Sequence, residues 1–121
     1  MARNYPRDWD WANEERPRPL FDYLLAPDNI GFYELGYMVD GKFDPQYAGR
    51  AKGVTLRKRL GQHYRVSHNK SVRKNRHNLF FRCKVFETEE LVSYVEAVSI
   101  AAIEYPWNRR NEWAQHWILE S

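Results

Sequence analysis

Little in this chain can cross-link it or take it through a membrane. Its one cysteine, Cys83, has no second thiol to pair with, which removes a disulfide framework as a source of stability. Cys83 lies between Arg82 and Lys84 in a strand-like run with no paired base that can be placed beside it, so it reads as a structural thiol and not a nucleophile. No stretch approaches the ~20 consecutive apolar residues of a membrane-spanning helix. The opening residues, Met1 to Asp8, lack the apolar segment of a signal peptide, and a cytoplasmic address is the expectation. His68, His77 and His116 lack the paired Cys or His spacing of a zinc site, and Glu112 with His116 lacks a third ligand. The most telling absence is of acid: from Arg50 to Arg76 there are ten Lys or Arg residues and no Asp or Glu.

What is present fits a small folded domain. At 121 residues there is room for one core of ordinary size. A hydrophobic fraction of 43% with 16% aromatic residues can fill it, and 29% charged residues can solvate its surface. The formal net charge of +3 understates the electrostatics, because more than half of the 19 basic residues fall in the acid-free segment. Such a segment points to nucleic-acid phosphate, with Arg50, Lys52, Arg57, Arg73, Lys74 and Arg76 as candidate contacts. An anionic membrane surface is the poorer partner, since the segment lacks the clean apolar stripe of an interfacial helix.

The pattern along the chain predicts an α+β arrangement. Residues 1–28 form a slightly acidic lead interrupted by Pro6, Pro17, Pro19 and Pro27. Its cluster of Leu20, Phe21, Tyr23, Leu24 and Leu25 suits docking onto the domain or onto a second subunit, and the domain proper is expected over 29–121. Two strands are expected over 29–37 and about 43–48, joined as a hairpin through Asp40-Gly41. A helix follows from a Thr55 N-cap to about Tyr64, with Leu56 and Leu60 on one face, and then a polar loop or frayed turn over 66–78. Leu79 to Phe86 reads as a third strand. A Thr88-capped helix presents Leu91, Val95, Val98 and Ala102 as its apolar stripe until Pro106 stops it. A short closing helix over 111–119 would turn Trp113 and Trp117 inward.

Six residues stand in a telling order on this framework. Gly31-Phe32-Tyr33 lies in the first strand and Tyr47-Ala48-Gly49 at the end of the second. Arg59 and His63 are one helical turn apart, Glu96 is in the later helix, and Asn108 follows Pro106-Trp107. The chain thereby resembles the GIY-YIG nuclease superfamily over roughly residues 29–110. The resemblance implies a small α/β layer with a three-stranded antiparallel sheet, and it gives Tyr33, Tyr47, Arg59, His63, Glu96 and Asn108 as catalytic positions. Arg59 rather than Arg57 takes the place of the family's arginine, because Arg-Leu-x-x-His then sets the histidine as in restriction-type members. Arg50 stands where a basic residue often follows the second tripeptide. Phe32, Ala48, a longer hairpin and two extra residues before Arg59 depart from the pattern.

These residue types can carry phosphodiester hydrolysis. That reaction needs an aligned water, relief of charge on the phosphoryl oxygens and help for the departing oxygen. A guanidinium such as Arg59 stays charged and bridges two oxygens. Glu96 is the one carboxylate among the matched positions and suits a single Mg²⁺ or Mn²⁺ that keeps most of its waters. Tyr33, Tyr47 and His63 remain to orient or deprotonate the water. An ordinary histidine titrates near about 6.5 and a tyrosine near about 10, which makes His63 the easier base at neutral pH, while the family resemblance favours the first tyrosine. Asn108 suits a holding role. The expectation is a DNA endonuclease acting on double-stranded DNA, restriction- or phage-type and possible as a homodimer. Its alternatives are a non-cleaving nucleic-acid-binding module or an accessory subunit of a larger nuclease complex.

Overall fold

A computed structural model describes residues 16–108 of the chain. The order is strand β1 (Arg18–Pro19), a 3-10 turn (Leu20–Leu25), β2 (Gly31–Val39), β3 (Lys42–Ala51), helices α1 (Leu56–Val66) and α2 (Lys70–Asn75), a second 3-10 turn (Arg76–Asn78), β4 (Phe80–Val85) and α3 (Glu89–Ala102). The strands form one antiparallel sheet in the order β1-β4-β2-β3, so it has four strands where the sequence implies three. The extra strand is two residues long and comes from the lead, where Pro19 is tolerable only because the strand lies at a sheet edge. The expected closing helix over 111–119, with Trp113 and Trp117, lies outside the described residues, as do Trp9 and Trp11 of the lead. Among the described residues no helix is long and apolar enough to cross a membrane.

The β2–β3 hairpin turns on Asp40 and Gly41, both at positive φ (53° and 77°). A two-residue turn of this kind twists in the sense of the strands it joins. Its ladder slips between Leu35 and Gly36, so that Gln46 is the extra residue of a bulge beside Pro45. β3 is therefore longer than expected, running through Ala51, and holds the whole second tripeptide in paired backbone.

Each face of the sheet has its own core. Tyr33, Leu35 and Ala51 pack with Leu20, Leu56, Leu60, Val72 and Phe81 under α1 and the first 3-10 turn. Phe32 and Ala48 pack with Val92, Val95, Ile100 and Tyr105 under α3. Leu20 of the lead is completely buried, and its N–H bonds Leu79 O at 2.7 Å. The buried stripe of α3 is Val92, Val95, Ser99 and Ile100, while Leu91 stays 43% exposed. The helix is rolled by about one position from the expected Leu91/Val95/Val98/Ala102 face. Tertiary contact with Phe32 and Ala48 selects between the faces that Leu91, Val92, Val95, Val98 and Ile100 leave open. The stretch over 66–78 is more ordered than a loop, because Asn69 caps α2 by accepting from Val72 N–H at 3.1 Å.

One buried charge ties the layers together. Glu34 is fully buried and accepts from Arg82 Nε at 2.8 Å and from the Tyr105 hydroxyl. Its carboxylate is paired and hydrogen-bonded at both oxygens, the condition for a charge to sit away from water. This links β2 and β4 to the turn that carries Asn108.

Candidate active site

A cleft of about 590 Å³ opens where β3 forms the edge of the sheet, lined by residues of β2, β3, α1, the segment after α1, and α3. Tyr33, Tyr47, Arg59, His63 and Glu96, far apart in sequence, all line it together with Gly49 and Arg50. Thr55 caps α1 by accepting from Lys58 N–H at 3.3 Å, and burial of Leu56 and Leu60 turns Arg59 and His63 toward the cleft. Gly49 is required by close approach: a Cβ there would lie 2.6 Å from Cζ of Tyr33 and closer still to its hydroxyl. The second tripeptide thus ends in the one residue over which the first tripeptide's tyrosine ring can lie.

Asn108 does not line the cleft. Its side chain bonds both backbone groups of Ala48, accepting from N–H at 2.8 Å and donating to C=O at 3.0 Å. Trp107 N–H also bonds Gln46 O at 2.9 Å, so the turn after α3 covers the outer edge of β3 and fixes the strand that carries Tyr47 and Gly49.

Inside the cleft the polar groups are chained. The Tyr33 hydroxyl lies 2.7 Å from His63 Nε2, and His63 Nδ1 lies 2.9 Å from Ser67 Oγ. Tyr47 packs edge-on to the same imidazole, with ring centroids 5.4 Å apart. Burial pushes the Tyr33 hydroxyl well above its ordinary range, Tyr47 and Glu96 add to this, and Arg59 opposes it. The Tyr47 hydroxyl is raised chiefly by burial as well. Burial and then the Arg59 charge lower His63 from 6.5 to about 4, so its ring is neutral at pH 7. Both of its nitrogens are occupied, which leaves neither free to contact a water directly.

Arg59 Nη1 donates to Gln62 Oε1 at 3.1 Å, but its buried Nε has no acceptor among the described residues. A buried charged donor without a partner is costly, and the guanidinium it belongs to lines the cleft, where it can meet an anion. Glu96 is raised by burial against the opposing Arg50, Lys52 and Arg59 charges, and its Oε1 is 3.1 Å from Arg50 Nη1. No group of three or more His, Cys, Asp or Glu gathers among the described residues. The donor set for a hard divalent cation in the cleft is the Glu96 carboxylate, which fits a cation retaining most of its waters.

The other expected contacts divide. Arg50 lines the cleft, and Lys52 lines an adjoining groove that shares Arg50 and Glu96 with it. Arg57 turns away, its Nε donating to Ala26 O at 3.0 Å. Arg73 donates to Ser67 O at 2.9 Å and Arg76 to Arg65 O at 3.4 Å, which places them on the α2 side of the cleft without lining it. Lys74 is exposed on α2. Gln62, Ser67, His68 and Asn69 line the cleft as well. Sequence reasoning missed Ser67, although its place four residues after His63 was the available signal.

Comparison with protein-family models and with curated proteins gives no match. Among solved structures the chain is similar to the GIY-YIG N-terminal endonuclease domain of UvrC from Thermotoga maritima, in point mutants bound to the catalytic divalent cation. With one mutant the identity is 22% and the TM-score 0.60, covering 73% of this chain and 91% of that one. With a second, the identity is 24% and the TM-score 0.57 over the same shares of each chain. At such identity the likeness is one of architecture, and the chain has the fold of a GIY-YIG endonuclease domain.

Proposed function

We propose that this chain is a metal-dependent DNA endonuclease that hydrolyses phosphodiester bonds. The observation that carries the reading is the convergence of Tyr33, Tyr47, Arg59, His63 and Glu96 on one cleft where a buried arginine nitrogen lacks an acceptor. The UvrC domain it resembles in fold binds a catalytic divalent cation, and Glu96 is the residue that would hold one here, Mg²⁺ or Mn²⁺ by the hardness of its oxygen donors. When bound, a single such ion supplies charge neutralisation at the phosphate and at the departing oxygen.

The protein's own groups supply the rest. Arg59 binds the non-bridging phosphoryl oxygens, and Arg50, released from Glu96, reaches a substrate phosphate. The attacking water gives its proton to Tyr33 Oη as the tyrosine's own proton passes to His63 Nε2, a route consistent with their 2.7 Å contact. The water oxygen bonds phosphorus, the bond to the departing oxygen breaks, and that oxygen takes a proton from solvent. Tyr33 is therefore the group that meets water and His63 the group that receives the proton. Tyr47 shapes the wall of the cleft beside them.

The Arg50–Arg76 segment supplies the contacts to duplex DNA, through Arg50, Lys52, Arg73, Lys74 and Arg76, with Arg57 outside the cleft. The finer assignment is a restriction- or phage-type enzyme working in the cytoplasm, with residues 1–28 as a dimerising lead on the nuclease domain 29–121. A non-cleaving nucleic-acid-binding module is favoured by one observation, the arginine paired to Glu96.

Plasmid nicking decides between the two readings. With Mg²⁺ and without chelator the wild-type chain should cut, Glu96→Gln should lose cleavage while keeping DNA binding, and Arg59→Lys should slow cleavage by about 10²-fold or more. Cleavage by Glu96→Gln at the wild-type rate would remove Glu96 from the site, and a wild-type chain that binds without cutting would establish the non-cleaving module.

A further inference from the structure

We propose that Ser67 is a positioning residue of the cleft, whose hydroxyl reverses between donor and acceptor at His63 Nδ1 and so sets whether the Nε2 that faces Tyr33 carries a hydrogen. The inference rests on the nuclease reading and deepens it. Ser67 follows α1 as its C-terminal cap and is 5% exposed, beside His63 at 8%. Its Oγ is held by Asn69 N–H at 3.2 Å and lies 2.9 Å from His63 Nδ1. Asn69 is anchored in turn by its amide, which donates to Trp107 O at 2.9 Å. The hydroxyl is thus fixed in position by backbone and turn contacts, but free to rotate its hydrogen.

A neutral imidazole has one donor and one acceptor nitrogen. With hydrogen on Nδ1 the ring donates to Ser67 Oγ, and Nε2 accepts the Tyr33 hydroxyl. With hydrogen on Nε2 the ring donates to Tyr33 Oη, and Ser67 donates to Nδ1. Only the first arrangement lets Tyr33 pass its proton to the ring. Once the proton has moved, the imidazolium has hydrogen on both nitrogens and needs an acceptor at each: Tyr33 Oη at Nε2 and Ser67 Oγ at Nδ1. The groups facing the ring are Tyr33 from β2, Tyr47 from β3, Arg59 from α1 and His68 from the segment after it. Among the described residues the side chain that meets Nδ1 is Ser67. A methyl group in place of the hydroxyl would leave the imidazolium with an unmet buried donor, and the relay would stall.

The test compares Ser67→Thr with Ser67→Val in the full chain, a pair that differs by a hydroxyl against a methyl at equal size. Two readouts are taken: kcat and KM on duplex DNA from pH 7 to pH 9, and the ¹⁵N shifts of the His63 ring without substrate. We expect S67T to follow wild type. S67V should lose ten-fold or more in kcat at pH 7 with KM unchanged, regain about ten-fold per pH unit as hydroxide takes over from the relay, and shift its ring toward hydrogen on Nε2. Equal ring tautomers in S67T and S67V, or a loss of kcat in S67V that is the same at every pH, would overturn the inference while wild-type cleavage stands. A wild-type chain that does not cleave would instead overturn the nuclease reading on which it rests.

Discussion

His63 shows how burial sets the chemistry of a single residue. The sequence makes it the easier base at neutral pH. Its contacts in the fold instead make it a neutral acceptor held between Tyr33 and Ser67. Its titration lowered from 6.5 to about 4 is also a statement about stability. The unfolded chain binds this proton more tightly than the folded one, so the contribution is present above pH 6.5 and is lost as pH falls toward 4. The whole shift corresponds to about 3 kcal/mol, of which about 2 kcal/mol should be lost between pH 7 and pH 5. Urea unfolding of wild type and His63→Gln at the two pH values measures this. A difference between pH 7 and pH 5 as large in the variant as in wild type would show that His63 does not carry it.

The α3 helix is the element whose orientation matters most to the cleft, because it alone supplies Glu96. Burial of Val92, Val95 and Ser99 leaves Glu96 one position along from Val95, at the border where the helix meets the cleft. Had the helix packed through Leu91 and Val98, that carboxylate would be rolled by roughly 100°. The two packings predict opposite mutational costs. Val92→Ala should destabilise the chain by about 2 kcal/mol, as loss of buried methyl groups does, and Leu91→Ala should stay within about 0.5 kcal/mol, as at an exposed site. Denaturant midpoints of the two variants measure this, and equal costs would mean that α3 is rolled otherwise.

At the scale of the whole molecule the acid-free segment runs from the end of β3 through α1 and α2 into the second 3-10 turn, and Arg50 and Arg59 bring two of its charges into the cleft. Contacts to several phosphates release counterions, so log affinity should fall with log salt by about 0.9 for each contact on duplex DNA. Replacing Arg73, Lys74 and Arg76 together by Ala should flatten that slope, and an unchanged slope in salt titrations would make them a solvated surface only. Coordinated cutting of both strands asks for two such clefts. Phe21, Leu24 and Leu25 are 55%, 67% and 60% exposed on the first 3-10 turn and offer an apolar patch for a two-fold contact. Light scattering should find a dimer that Phe21→Ser with Leu24→Ser dissociates; a monomeric wild-type chain that still cuts both strands together would exclude this arrangement.

The sequence by itself determined the β2–β3 hairpin, α1, β4 and α3 and their order, but not β1 or α2. The Asp40-Gly41 turn, the Thr55 and Thr88 caps and the Leu56/Leu60 spacing are local signals, fixed by backbone conformation and hydrogen bonds within a few residues. It also determined the candidate residues, because Tyr33, Tyr47, Arg59, His63 and Glu96 could be picked out by order and type before their distances were known. Tertiary structure decided what no local signal encodes. The two-residue strand of the lead has too little pattern to be read as a strand and exists only through pairing with Phe80 and Phe81. The face of α3 was chosen by Phe32 and Ala48 beneath it, since Leu91, Val92, Val95, Val98 and Ile100 give the helix more than one apolar face. The partners of His63, the unsatisfied Arg59 nitrogen, the buried Glu34 and the grip of Asn108 on Ala48 join residues across the fold. Such contacts arise only when packing removes water and each polar group must find its partner in the protein.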